Sequence, residues 1–130
     1  MSLEETLFSR LSGFAGITAL VPAARITPNT LPQGTTYPAI SYRRVTTLPY
    51  TAMGADTGVT RARVQVDIWG KNYSVLDSVG EQVRAALQRW RHTSPGTEVL
   101  SSFYVNAVDL YEPENEIHHR AMDFEIDYRE

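Results

Sequence analysis

The sequence contains no cysteine. Disulfides and cysteine-ligated metals are therefore excluded, and nothing argues for an oxidising compartment. It also lacks a basic excess, since 12 Lys and Arg stand against 15 Asp and Glu for a formal net charge of −3. Phosphate neutralisation supplies most of the affinity for duplex nucleic acid, so this balance does not favour stable DNA binding. No apolar run approaches the ~20 residues of a membrane-spanning helix, and no membrane partner is expected. The opening Met1-Ser2-Leu3-Glu4-Glu5 has early acid and no basic stretch, so it does not read as a signal peptide. There is no Gly-rich phosphate loop, no Walker pattern and no Gly-x-Ser-x-Gly.

What is present fits one ordinary domain. The 130 residues are 42% hydrophobic and 21% charged, a globular balance in a chain long enough to bury a core unaided. Ser2 with Glu5 three positions on forms a capping box, and Leu3, Leu7 and Leu11 give the following helix one apolar face ending at Gly13. A short helical turn over Ile17 to Leu20 and a brief strand at Arg25-Ile26-Thr27 follow. Pro28 to Pro38 is punctuated by prolines and Gly34 and reads as an extended loop.

Ala39 to Thr47 reads as a strand with Ile40 and Tyr42 on one side. Leu48 to Gly58, with Pro49, Gly54 and Gly58, reads as a long loop, the kind that is often functional. Val59 to Trp69 alternates clearly: Ala62, Val64, Val66 and Ile68 face one way, Arg61, Arg63, Gln65 and Asp67 the other. Ser74 and Asp77 are read as the cap of a second helix whose stripe runs from Val75 to Trp90, with Pro95 and Gly96 as breakers. Val99 to Tyr111, a turn at Glu112 to Glu116, and Ile117 to Tyr128 form a closing hairpin. In its last strand Met122, Phe124, Ile126 and Tyr128 oppose Ala121, Asp123, Glu125 and Asp127. The fold expected is α+β: an antiparallel sheet of four or five strands, with mixed pairing possible, and two helices on its apolar face.

Candidate chemistry is sparse. His118 and His119 are adjacent on a strand, so they point to opposite faces and do not share a metal easily. His119 is expected near Glu116 or Asp123, and His92 at a helix end. Asp123, Glu125 and Asp127 stand about 6.5–7 Å apart along one strand, a spacing that suits an acid/base pair, but on the wet face. If the strand carrying Arg61 and Arg63 lies beside them, cross-strand charge pairing explains both rows. No catalytic residue, cofactor or metal is assigned. A face with Arg61 and Arg63 on one strand and Asp123 and Glu125 on another is also self-complementary, which suits a head-to-tail ring of identical subunits.

The order of these segments resembles the small tail-completion proteins, also called head–tail joining or tail-terminator-like proteins, of long-tailed double-stranded DNA phages and prophages. The resemblance runs from the N-terminal helix through Arg25-Ile26, Leu31 to Pro38 and Ala39 to Tyr42. Its most recognisable part is Arg63 to Gly70 followed at once by the helix with Val79, Val83, Ala86 and Leu87, and it closes on Tyr111-Glu112-Pro113 and His119 to Ile126. The resemblance implies a structural protein and not an enzyme, forming a ring, typically a hexamer, at the head-proximal end of the tail. There it ends tail-tube polymerisation and docks to the head connector, while DNA passes through the lumen. Implied partners are further copies of itself, the tail-tube protein and the connector or stopper. The implied location is the host bacterial cytoplasm during assembly and then the virion tail. Pro49, Tyr50, Met53, Gly54 and Asp56, in the long loop, are the candidate contact with tube or connector. The alternative is a small α+β ligand-binding or regulatory module, which would need a concave pocket with converging polar groups.

Overall fold

Helix α1 (Leu3–Gly13) starts where Ser2 Oγ accepts the backbone N–H of Glu5 at 3.2 Å, half of the capping box. Leu3, Leu7 and Leu11 are fully buried, as their spacing requires. The computed structural model describes residues 2–52 and 55–129, with the backbone alone at 50–52 and 55–57. After α1 come a single helical turn α2 (Ala15–Thr18), a 3-10 turn (Ala23–Arg25), β1 (Ile26–Pro28), β2 (Ala39–Ala52), β3 (Ala55–Gly70), α3 (Tyr73–Leu87), β4 (His92–Ser94), β5 (Thr97–Glu112) and β6 (Ile117–Arg129).

The strands form one sheet in the order β1-β2-β3-β6-β5-β4. It curls into a half-barrel. Only β1 and β2 run parallel; every other neighbour is antiparallel. The α+β class and the helices on one apolar face stand as expected. The strand count is corrected to six, because β1 and β4 are three-residue strands at the two margins. β4 lies in the segment read only as a helix terminator. Gly96 takes φ +88° after Pro95, so the breakers build a tight turn that folds His92–Ser94 back on Thr97–Val99.

The core lies between the helices and the alternating apolar side of the sheet. Ile40, Ala62, Val64, Val66, Ile68, Phe124 and Ile126 meet Leu7, Leu11, Leu76, Val79, Val83 and Leu87. The second helix departs from its reading at both ends. Its N-cap is Asn72, without a side-chain cap bond, so Ser74 and Asp77 lie inside the helix. It stops at Leu87 because Arg89 takes φ +59° and its N–H donates to Ser102 O at 2.7 Å. Trp90 is buried from this turn rather than from the helix.

The largest correction concerns Leu48 to Gly58. This segment is not a loop: β2 and β3 stay paired outward through Pro49↔Thr60, Thr51↔Asp56 and Ala52↔Ala55. Pro49 is tolerated because β2 beyond Tyr42 has no strand on its outer side among the described residues, so the missing N–H costs no ladder bond there. Gly58 takes φ +79° in the irregular stretch between Pro49 and Thr51, a bulge that only a residue without Cβ enters freely. Since β6 pairs with β3 only as far as Thr60↔Tyr128, the outer part of the hairpin runs on as a two-stranded ribbon.

Candidate assembly surface

The face of the sheet away from the helices carries the charged rows. β3 and β6 are neighbours in the register Arg61↔Asp127 and Arg63↔Glu125, so the structure brings Arg61, Arg63, Asp123 and Glu125 together. Arg61 binds Asp127 in a fork, Nε to Oδ1 at 2.9 Å and Nη2 to Oδ2 at 3.2 Å, and its Nη1 stands 3.6 Å from Glu125. Arg63 reaches diagonally to Asp123 at 2.9 Å. Asp127 also accepts from Ser101 Oγ at 3.1 Å. The Arg61 hydrogen bonds hold the Asp127 carboxyl below its ordinary range, against the opposing effect of burial. The Arg61 and Arg63 side chains remain 39% and 38% exposed.

Toward the start of β6 the same face becomes a groove of about 940 Å³ between the sheet and the loop of residues 29–37. On its floor His119 stacks on Trp69 at 3.8 Å between ring centroids, and its Nε2 lies 2.9 Å from Asp67 Oδ1. Asp67 also accepts from Gln65 Nε2 at 2.9 Å, and Trp69 Nε1 donates to Ser41 Oγ at 3.3 Å. Asp67, not Glu116 or Asp123, is therefore the partner of His119. The two histidines do diverge, since His118 meets the rings of Tyr73 and Tyr111. Among the described residues no three His, Asp or Glu side chains converge as metal ligands.

Two features went unread in the sequence. Arg120 shares the core-facing parity of Met122 and Phe124, so a charge enters the helix side of the sheet. It lies over Gly80, where an added Cβ would stand 3.0 Å from its Nη1, and binds Asp109 at 2.6 Å, Asp77 at 2.8 Å and Leu76 O at 3.3 Å. Asp109 is held below its usual pKa chiefly by that Arg120 hydrogen bond, and Tyr73 is raised chiefly by donating to Asp109. The parity of residue 120 was the available signal, because a guanidinium on an apolar face demands carboxylate partners.

The second feature is the β5 margin. Phe103, Val105, Val108, Leu110 and Tyr111 are five of the ten large hydrophobics exposed among the described residues, so the exposure is concentrated on one strand. β4 covers β5 only at Thr97–Val99. On the opposite margin, Val45 and Leu48 of β2 are exposed as well. Of the contact residues expected in the long loop, Pro49 lies on the ribbon, Tyr50 and Asp56 lie there by backbone alone, and Met53 and Gly54 fall outside the described residues.

The chain is thus a curled mixed sheet with helices on one side, internally paired charge on the other and apolar side chains exposed along its margins. One chain in a structure titled as the virion of a native gene transfer agent (GTA) particle shares the fold. The match has a TM-score of 0.82, 11% sequence identity, and coverage of 99% of this chain and 96% of that one. The family model described as tail completion protein gp17 matches residues 5–129, and the chain belongs to that family. It is thus a structural protein of a phage-type virion tail. No protein of curated function matches the sequence. No helix among the described residues is long and apolar enough to cross a membrane.

Proposed function

We propose that the protein forms a homo-oligomeric ring, a hexamer, at the head-proximal end of the tail, where it ends tail-tube polymerisation and joins tube to head connector. It does this as a scaffold without catalysis, assembling in the host cytoplasm before entering the virion. The observation that supports this reading is the β2–β3 ribbon, which outruns β6 and extends the sheet as two strands alone. Pro49, Tyr50, Met53, Gly54 and Asp56 are its proposed contact with tube or connector. Arg61, Arg63, Asp123 and Glu125 belong to the proposed subunit interface. Both arginine side chains remain more than one third exposed, within reach of a next copy. The net charge of −3 suits a lumen through which DNA slides without being held.

The test is electron microscopy of lysates from a phage or prophage carrying three versions of the gene: deleted, lacking residues 49–56, or bearing Arg61→Glu with Arg63→Glu. Deletion should give filled heads beside separate tails, overlong if termination is the role. The ribbon deletion should leave folded protein that joins nothing, and the double reversal should weaken self-association. Normal infectious virions from the deletion would move the ligand-binding module to first place, with the groove beside Asp67 and His119 as its site.

A further inference from the structure

Resting on the ring reading, we propose that the β5 margin of one subunit packs against the β1–β2 margin of the next. The occupant of the apolar strand is thus a second copy of this chain, in a head-to-tail contact.

Three observations select that occupant. The first is apolar and uncharged character on both sides. Residues 101–108 carry no charge, nor do residues 45–52, and exposed Phe103, Val105 and Val108 on one margin answer Val45 and Leu48 on the other.

The second is charge. The β5–β6 turn carries Glu112, Glu114 and Glu116, all exposed and without ion pairs among the described residues. The other margin carries Arg25 and Arg43, which donate only to neutral oxygens, Tyr37 O and Gln65 Oε1. Of the two, Arg25 lies at the compatible height, since Arg43↔Gln65, Gln65↔Asp123 and Asp123↔Asn106 place Arg43 level with Asn106. The register Asp109↔Arg120, Arg120↔Ile68, Ile68↔Ile40 and Ile40↔Ile26 runs straight across the sheet. Arg25 therefore sits one step toward the end occupied by Glu112, and a copy placed alongside at the same height brings acid to base.

The third is placement. The two margins are opposite edges of one sheet, so their contact leaves the same pair open at each end of any partial assembly. That is the requirement for a ring, which a two-fold contact of β5 with β5 does not meet. Pairing within the chain already satisfies much of the charged band between the margins. On the β5 margin, β4 pairs Thr97–Val99 and the connection at residues 88–91 bonds Leu100 O, Ser102 O and Tyr104 N–H, so the uncovered stretch among the described residues is 105–112.

The chain's lack of cysteine makes the contact directly testable. Val108 and Thr27 stand at one height on opposite margins through Val108↔Ala121, Ala121↔Asp67, Asp67↔Ser41 and Ser41↔Thr27. Four strand spacings, about 19 Å, separate them within a subunit, beyond the reach of an internal disulfide. Phage particles bearing Val108→Cys with Thr27→Cys should, on mild oxidation, yield a ladder of disulfide-linked multimers of this chain. Neither single substitution should yield one. Dimers from Val108→Cys alone would reveal a two-fold and overturn the proposal, as would a disulfide to another virion protein. Carboxylate cross-linking of wild-type particles with a dihydrazide and a coupling reagent, suited to a chain with 15 Asp and Glu, separates the two readings: multimers there without a disulfide ladder would sink this contact alone, and monomers only would sink the ring itself. Leu110→Lys provides a check independent of thiols, because Leu110↔His119, His119↔Trp69 and Trp69↔Ala39 set the new cation level with Arg25 of the next copy. It should keep the wild-type melting temperature and lose self-association at least tenfold, and undiminished association would also overturn the contact.

Discussion

The β3–β6 band and the β5 margin lie on the same sheet and treat the same problem in opposite ways. In the band, each charge is set beside its complement at hydrogen-bond distance, and Arg61 and Asp127 satisfy one another in a two-point fork. On the margin, Phe103 and Leu110 stay 47% and 51% exposed. The band's charges are largely paired within one copy, and the outer part of the margin is left uncovered. Charge on a surface therefore does not by itself mark where a partner binds, because a neighbouring strand can supply that partner. Unsatisfied apolar area is the better guide to assembly.

Substitutions beneath, within and beside these regions sharpen the contrast. The largest effect should come from Phe124→Ala, directly under the band, where the ring is fully buried against the helices. The loss should be about 3–5 kcal/mol in chemical denaturation, with assembly lost through unfolding. Asp127→Asn should cost about 1 kcal/mol, because it removes the charge that Arg61 grips from two atoms. It should also change the pH profile in a definite direction. The folded pKa of Asp127 lies below its unfolded value, so its contribution is present above about pH 3.9 and lost as pH falls through the folded pKa. The variant should therefore show a flatter loss of stability across that acid range, and a profile parallel to wild type would count against the pairing. The smallest effect on folding belongs to Leu110→Ser, within about 0.5 kcal/mol by thermal melting, since the side chain leaves solvent for nothing within the subunit. A loss of several kcal/mol there would break the comparison by showing that the margin serves the fold.

Much of the fold was legible because period-two alternation names a buried face without knowledge of the neighbours. Ala62, Val64, Val66 and Ile68 on β3, and Phe124 and Ile126 on β6, went to the core as read. The adjacency of the Arg and Asp/Glu rows was also foreseen as a condition, and the register met it. What failed had local causes. The ribbon was hidden because Pro49 and Gly58 read as breakers, whereas on an edge strand a proline loses nothing and a glycine can form the bulge. The helix end was overrun to Trp90 because a left-handed arginine, Arg89, carries no sequence signature. The β5 margin went unread because its register shifts, between Val99 and Ser101 and between Tyr104 and Asn106, change which parity faces the helices along the strand. The site followed the same pattern. Pairwise charge logic found the band, but Asp67 beneath His119 and the carboxylates around Arg120 depended on contacts across more than ten residues of sequence.

The two shortest strands carry a consequence out of proportion to their length. β1 hems the sheet at Ile40–Tyr42 and β4 hems it at Thr97–Val99, which are diagonal corners. When two copies stand side by side at equal height, the bare stretch of β5 meets a three-residue hem, and so does the bare stretch of β2. Backbone bonding between neighbours is thereby held to a few rungs, too few to zip sheets into a fibre. Adhesion is left to side chains, which can be made, broken and counted one subunit at a time.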